Sequence, residues 1–180
     1  MRRIACAAVI LLALSAAASA QSDWDTYPAR SIADLISAHS GEGLPKADIA
    51  VSANPFPSKT VITYTGRHRP LGEYKKSFIR LWVETRDVPA GNADMLAEEY
   101  LFKEGGKEYW LPVHRQLVPF FDKELKPGDE ITAFFFFLGG YDEKKLIEKD
   151  KSKDKKEKEK ASAAAVAGME WVFALEEFRK

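Results

Sequence analysis

Four consecutive phenylalanines, Phe134 to Phe137, stand inside the uncharged run Ile131 to Leu138. Successive side chains of a strand point to opposite faces, so a strand here carries large aromatics on both sides. Leaving either face in water would forfeit roughly 1.5–3 kcal/mol for each large apolar side chain. The run therefore predicts a central strand covered on both faces.

Five further segments read as strands. Lys59 to Arg67 is rich in Thr, Val, Ile and Tyr. Ser77 to Thr85 alternates, with Ile79, Leu81 and Val83 on one face and Phe78, Arg80, Trp82 and Glu84 on the other. Glu99 to Glu104 and Lys107 to Val113 flank Gly105-Gly106, a two-residue hairpin signal. Met169 to Glu176 alternates Trp171, Phe173 and Leu175 against Val172 and Ala174.

Two helices accompany them. Pro28 to His39 places Ile32, Leu35, Ile36 and His39 on one face, with Pro28 suited to a first helical position and Gly41 and Gly43 ending the helix. Leu117, Phe121 and Leu125 are spaced for a second buried face, and Pro119 fits its first turn. Lys126-Pro127-Gly128-Asp129 then stops that helix with the chemistry of a type II turn. The expected fold is mainly β: a barrel-like domain similar in layout to an OB-type small barrel, with an N-terminal helix and one helix between the fourth and fifth strands. The rival is an α+β open antiparallel sheet with helices on one face.

The N-terminus points to export. Arg2 and Arg3 precede the apolar stretch Ile4 to Ala18, and Ala18-Ser19-Ala20 places small residues just before Gln21. This is the pattern of a secretory signal peptide, cleaved after Ala20. The apolar run is shorter than the ~20 residues of a spanning helix, so no transmembrane segment is expected after cleavage. The expected organisation is a signal peptide at 1–20, a lead-in with the N-terminal helix at 21–58, and a small β domain at 59–180. Cleavage removes the only cysteine, Cys6, and no Asn-x-Ser/Thr sequon occurs. The expected location is the periplasm or the medium, with no disulfide framework.

Between the last two expected strands lies Asp142 to Ala167, a low-complexity charged insertion whose stretch Glu143 to Lys160 holds 9 Lys and 6 acids. Its composition suits a solvated segment that buries little surface. Outside Glu143 to Lys160, the mature chain has 16 basic and 21 acidic residues, net −5. A nucleic-acid binder carries the opposite balance, so nucleic acid is not an expected partner.

Local chemical motifs are few. His39, His68 and His114 are far apart in sequence and lack any metal-ligand spacing, so no metal or other cofactor is expected. No Gly-x-Ser-x-Gly elbow or phosphate loop occurs, and the catalytic residues of any enzyme are unknown at this level. The dense basic cluster outside the insertion is Gly66-Arg67-His68-Arg69-Pro70, followed by Tyr74-Lys75-Lys76 and Arg80. Read as the loop joining the first two strands, it would rim the mouth of a barrel, where guanidinium forks suit carboxylates and phosphates. Arg80 shares a strand face with Phe78 and Trp82 on this reading, and Tyr109 and Trp110 stand on a later strand. Arg67, Arg69, Arg80 and Trp82 are therefore the expected ligand-binding residues. The expected function is a non-catalytic binding or assembly module that takes an envelope protein or an anionic small molecule. The alternative is a small periplasmic enzyme, such as a hydrolase, with a dispersed site drawing on His68 and His114.

Overall fold

A computed structural model describes residues 24–40, 48–86, 89–152 and 168–180. The signal segment, the Gly41 and Gly43 helix stop and the 153–167 part of the charged insertion lie outside the described residues. The chain is mainly β: a mixed sheet whose pairings form a ring, with helices packed against it.

The ring is made by β1 (Ile49–Pro70), β2 (Leu96–Glu104), β3 (Lys107–His114), β4 (Glu130–Asp142) and β5 (Met169–Arg179). Neighbours run β1-β2-β3-β5-β4, and β4 returns to β1. All pairs are antiparallel except β3 with β5, which meet at Val113 and Leu175. The long β1 makes closure possible. Its residues from Ile49 to Thr63 pair with β4, and those from Thr63 to Pro70 pair with β2.

The phenylalanine run lies in β4, between β1 and β5. Phe135 and Phe137 join the main core with Ile62, Phe102, Leu111, Val113, Phe173 and Leu175, drawn from all five strands. Phe134 and Phe136 face the other way, against Trp24 and Tyr27, with ring centroids 5.7–6.1 Å apart. Both faces of the strand are thus covered, as its composition requires.

The hairpin and the turn also follow their local chemistry. Gly105 and Gly106 adopt positive φ (55° and 81°) between β2 and β3. The helix α3 (Val118–Glu124) has Pro119 in its first turn, and Leu117, Phe121 and Leu125 are buried. Asp129 N–H donates to the Lys126 carbonyl at 2.9 Å while Gly128 takes φ 98°.

The structure corrects three expectations. The first helix, α1 (Ile32–His39), starts later than Pro28 because Ser31 caps it, its Oγ accepting from Asp34 N–H at 2.9 Å. Pro28 instead offers its carbonyl to Lys59 N–H at 2.9 Å, in a parallel bridge between Ala29 and Lys59. Ser77 to Thr85 is not a strand: it belongs to α2 (Glu73–Glu84). The buried set there is Lys75, Phe78, Ile79 and Val83, a helical spacing of three, four and eight. The alternation of Ile79, Leu81 and Val83 concealed it because a lysine holds one of the buried positions. The basic cluster is therefore not an inter-strand loop. Gly66 to Pro70 lies within β1, and Tyr74, Lys75, Lys76 and Arg80 lie on α2.

This helix packs on the outside of the ring. Phe78, Ile79 and Val83 form a second core with Leu138, Tyr141, Val172 and Ala174 of β4 and β5. Part of the expected insertion is helical, as α4 (Glu143–Ser152).

Candidate functional site

On the outer face of β1, β2 and β3, two arginines share one indole. The Arg69 guanidinium lies 4.1 Å from the Trp110 ring centroid, and that of Arg67 lies 5.7 Å from it. The register explains the convergence. Tyr64 pairs with Phe102 and His68 with Tyr100, so β1 spends four steps where β2 spends two. The resulting irregularity contains Gly66 at φ 76°. Such a bulge twists the strand and re-aims its side chains. A Cβ on Gly66 would come within 2.7 Å of the Pro127 ring, so the bulge packs closely on the turn before β4.

Beneath this plate runs a chain of charges. Arg69 Nε donates to the Glu99 carboxylate at 2.5 Å. The other oxygen of Glu99 accepts from Lys75 Nζ, and Lys75 also meets Glu170 at 2.5 Å. Lys75 and Glu99 are fully buried, whereas the Arg69 side chain is 50% exposed. The Tyr141 hydroxyl hydrogen-bonds Glu170, and burial followed by that carboxylate raises its pKa. Glu99 therefore ties α2 to the sheet and holds one edge of the Arg69 guanidinium, leaving the other edge for an outside acceptor. Arg67 is exposed and makes no ion pair among the described residues. The arrangement can hold a carboxylate or phosphate against a cationic, aromatic surface.

The four expected binding residues thus divide. Arg67 and Arg69 converge at Trp110, which the sequence showed only as an aromatic on a later strand. Arg80 and Trp82 do not join them. Arg80 is exposed on α2, and Trp82 lines a cavity of about 420 Å³ between α2 and the sheet. Phe78, expected beside them, is buried one helical turn before Trp82, which packs against the same core, while Arg80 points away from both.

The histidines stay apart in the fold as well. The His68 ring stacks on Tyr100 at 5.1 Å, with its Nδ1 3.4 Å from Glu98. His39 hydrogen-bonds the Leu35 carbonyl at 2.8 Å and packs on Phe137. His114 lines the cavity, where burial pushes its imidazole below the usual histidine range. Among the described residues no group of three or more His, Cys, Asp or Glu could hold a metal ion. No helix among them is long and apolar enough to cross a membrane.

Sequence reasoning counted Lys75 only as part of the basic cluster and gave no role to Glu99 or Glu176, yet Lys75 and Glu99 form the buried charge chain and Glu176 lines the cavity. No known protein family, curated protein or solved structure matches this chain. Its function therefore has to be read from its own geometry.

Proposed function

We propose that this protein is an exported, non-catalytic binding module that takes an anionic group of an envelope partner on the Arg67–Arg69–Trp110 plate. The carrying observation is that two guanidiniums stack on one half-buried indole while one of them has no carboxylate partner among the described residues. Cation–π contact fixes both cations without neutralising them, so they remain able to bind an anion. The net −5 of the mature chain outside Glu143 to Lys160 keeps nucleic acid from being the expected anion. The N-terminal Arg2-Arg3, apolar run and Ala18-Ser19-Ala20 support periplasmic or secreted localisation.

Fold layout supports the same reading. The strand order closing on β1, the parallel β3–β5 contact and α3 between β3 and β4 suit an OB-type barrel. In that type the face of strands 2 and 3 and the connections beside it form the binding surface. The plate lies beside the corresponding position here, with Arg67 and Arg69 on β1 and Trp110 on β3.

The test is a titration of the purified protein with citrate, followed through the Trp110 indole resonance. The reading expects a saturable shift that weakens with added salt, disappears in the Arg67→Ala/Arg69→Ala variant and persists in Arg80→Ala. A shift that survives loss of both plate arginines refutes the site. N-terminal sequencing of protein from the envelope fraction should begin at Gln21, and retention of the full chain in the cytoplasm refutes export. The hydrolase alternative gains one observation, the shared position of His114 and Glu176 at the cavity.

A further inference from the structure

The cavity of about 420 Å³ lies between α2, the 3-10 helix Ala90–Met95 and the outer faces of β3, β4 and β5. Its size falls in the range of small-molecule sites, roughly 300–1,000 Å³. Ile79, Val83, Leu138 and Ala174 give it aliphatic walls, and Trp82 and Phe136 add aromatic surface. Asn92 and Gln116, both exposed, line it as well, so it opens to solvent beside them.

The charge in this lining is acidic. Glu176 lines the cavity and no lysine or arginine does. The other titratable group there is His114, which burial pushes below the usual histidine range, so it supplies no counter-charge at neutral pH. Glu176 makes no hydrogen bond or ion pair among the described residues. Its oxygens are not sealed away: the buried side-chain nitrogens and oxygens without a partner are Trp82 Nε1 and Arg86 Nη2, and no Glu176 atom is among them. The Glu176 carboxyl is therefore open to the cavity, whereas Trp82 offers it carbon surface alone.

Irregular pairing puts the acid there. Leu175 pairs with Phe135 and Glu177 with Phe134, so Glu176 is an extra residue in the ladder. Leu175 and Phe178 both enter the main core, and the bulge between them leaves Glu176 beside the cavity. A carboxylate drawn from water needs a partner, or it takes up a proton instead. Burial accordingly pushes this carboxyl up to about 7. A ligand cation would supply what the lining lacks. An ammonium could also donate to the side-chain amides of Asn92 and Gln116 and lie against an aromatic face. The aliphatic walls call for a hydrocarbon body.

We propose that this cavity binds a compact hydrophobic amine, whose ammonium pairs with Glu176 and whose hydrocarbon body packs on Ile79, Val83, Phe136 and Ala174. The site is separate from the Arg67–Arg69–Trp110 plate, selects the opposite charge and does not rest on it. The pair needs an ionised Glu176, so protons compete with the amine. Around Glu176, β3 brings His114, while β4 brings only Phe136 and Leu138. Arg86 after α2, Asp94 of the 3-10 helix and Arg115 after β3 stay outside the lining. On its own strand, Glu177 accepts from Phe178 N–H at 2.8 Å. With the Glu176 carboxyl titrating at about 7, its ionised fraction, and with it the apparent affinity, rises about tenfold from pH 6 to pH 8.

Isothermal titration calorimetry of the purified protein with 2-phenylethylamine tests this. The neutral 2-phenylethanol and the anionic 3-phenylpropanoate serve as comparisons. The amine stays protonated at both pH values. It should bind saturably, about tenfold more tightly at pH 8 than at pH 6, and at pH 8 about tenfold or more above either comparison compound. Glu176→Gln should bind the amine and the alcohol alike with no such pH dependence, whereas His114→Gln should retain both the preference and the pH dependence. The Arg67→Ala/Arg69→Ala variant should bind the amine as the wild type does. The proposal is overturned if the amine gives no saturable heat at millimolar concentration, or if the alcohol or the propanoate binds as tightly at pH 8. It is equally overturned if Glu176→Gln keeps the preference or the pH profile, if His114→Gln loses either, or if loss of the plate arginines removes amine binding.

Discussion

Replacing Lys75 by methionine should cost the protein about 3 kcal/mol. Lys75 and Glu99 are 3% and 2% exposed, and the lysine stands between the carboxylates of Glu99 and Glu170. Methionine fills much of the same space, so the loss is chiefly electrostatic. Removing one member of a buried pair leaves the other charged and poorly solvated, typically at about 3–5 kcal/mol. Two features of the structure put the value at the low end. Glu99 keeps its bond from Arg69, whose side chain is half in water, and Glu170 is 34% exposed and can hydrate. With an m value of about 2 kcal/mol/M, the urea midpoint should fall by about 1.5 M. Glu99→Met in the same background removes the stranded charge and frees Arg69 to reach solvent, so the double variant should return to within about 1 kcal/mol of wild type. Urea unfolding of the wild type, both single variants and the double variant gives the cycle. A Lys75→Met midpoint within experimental error of wild type would refute the reasoning, as would a double variant no more stable than the sum of the single losses. The same double variant should loosen Arg69 on Trp110, visible as a change in the indole resonance.

Two other outcomes follow from single contacts. Glu104 reaches the start of α1 from the end of β2, accepting from Ile32 N–H at 2.9 Å, from Ala33 N–H at 3.3 Å and from Thr60 Oγ1 at 2.8 Å. Glu104→Ala should lower stability by about 1–2 kcal/mol, in the range of lost helix caps, and speed hydrogen exchange at Ile32 and Ala33; unchanged exchange at both amides would count against it. Glu176 has a folded-state pKa raised by burial from 4.5 to about 7, so the folded protein holds this proton more tightly than the unfolded chain. Its favourable contribution is complete below about pH 4.5 and is lost as pH rises through about 7. Glu176→Gln should match wild type near pH 4 and exceed it by about 2–3 kcal/mol at pH 8, and equal urea midpoints at pH 8 would contradict a buried, unpartnered carboxyl.

Much of the sheet was readable because its signals are local. The Phe134–Phe137 run needs cover on both faces wherever its strand lies. Gly105-Gly106 and Pro127-Gly128 impose turns through backbone freedom alone, and Leu117, Phe121 and Leu125 mark a helix face by spacing. The error at Ser77 to Thr85 has an equally local cause. A window beginning at Glu73 contains the helical set Lys75, Phe78, Ile79 and Val83, but a buried lysine does not register as apolar. Its burial depends on Glu99 and Glu170, which lie 24 and 95 positions along the chain.

The binding residues divide along the same line. The basic character of Arg67 and Arg69 is written in the chain, as is the polarity that sets the cluster apart from its surroundings. Their meeting at Trp110 depends on a bulge defined by pairing between β1 and β2, and no neighbouring residue announces it. Glu176 looks in the sequence like one of two adjacent surface glutamates. Only the register of β5 on β4 leaves it unpaired, turns it to the cavity and keeps it from water.

The sequence by itself determined a mainly β chain, the double cover of its central strand, the hairpin and the turn before β4, and the charge and residue types available for binding. These follow from side-chain alternation, backbone freedom and composition, which act over a few residues. Tertiary structure alone decided that α2 is a helix on the outside of the ring, that two arginines share an indole and that a carboxyl is buried beside a cavity. Those depend on register and burial, which arise only when segments distant in the chain exclude water from one another.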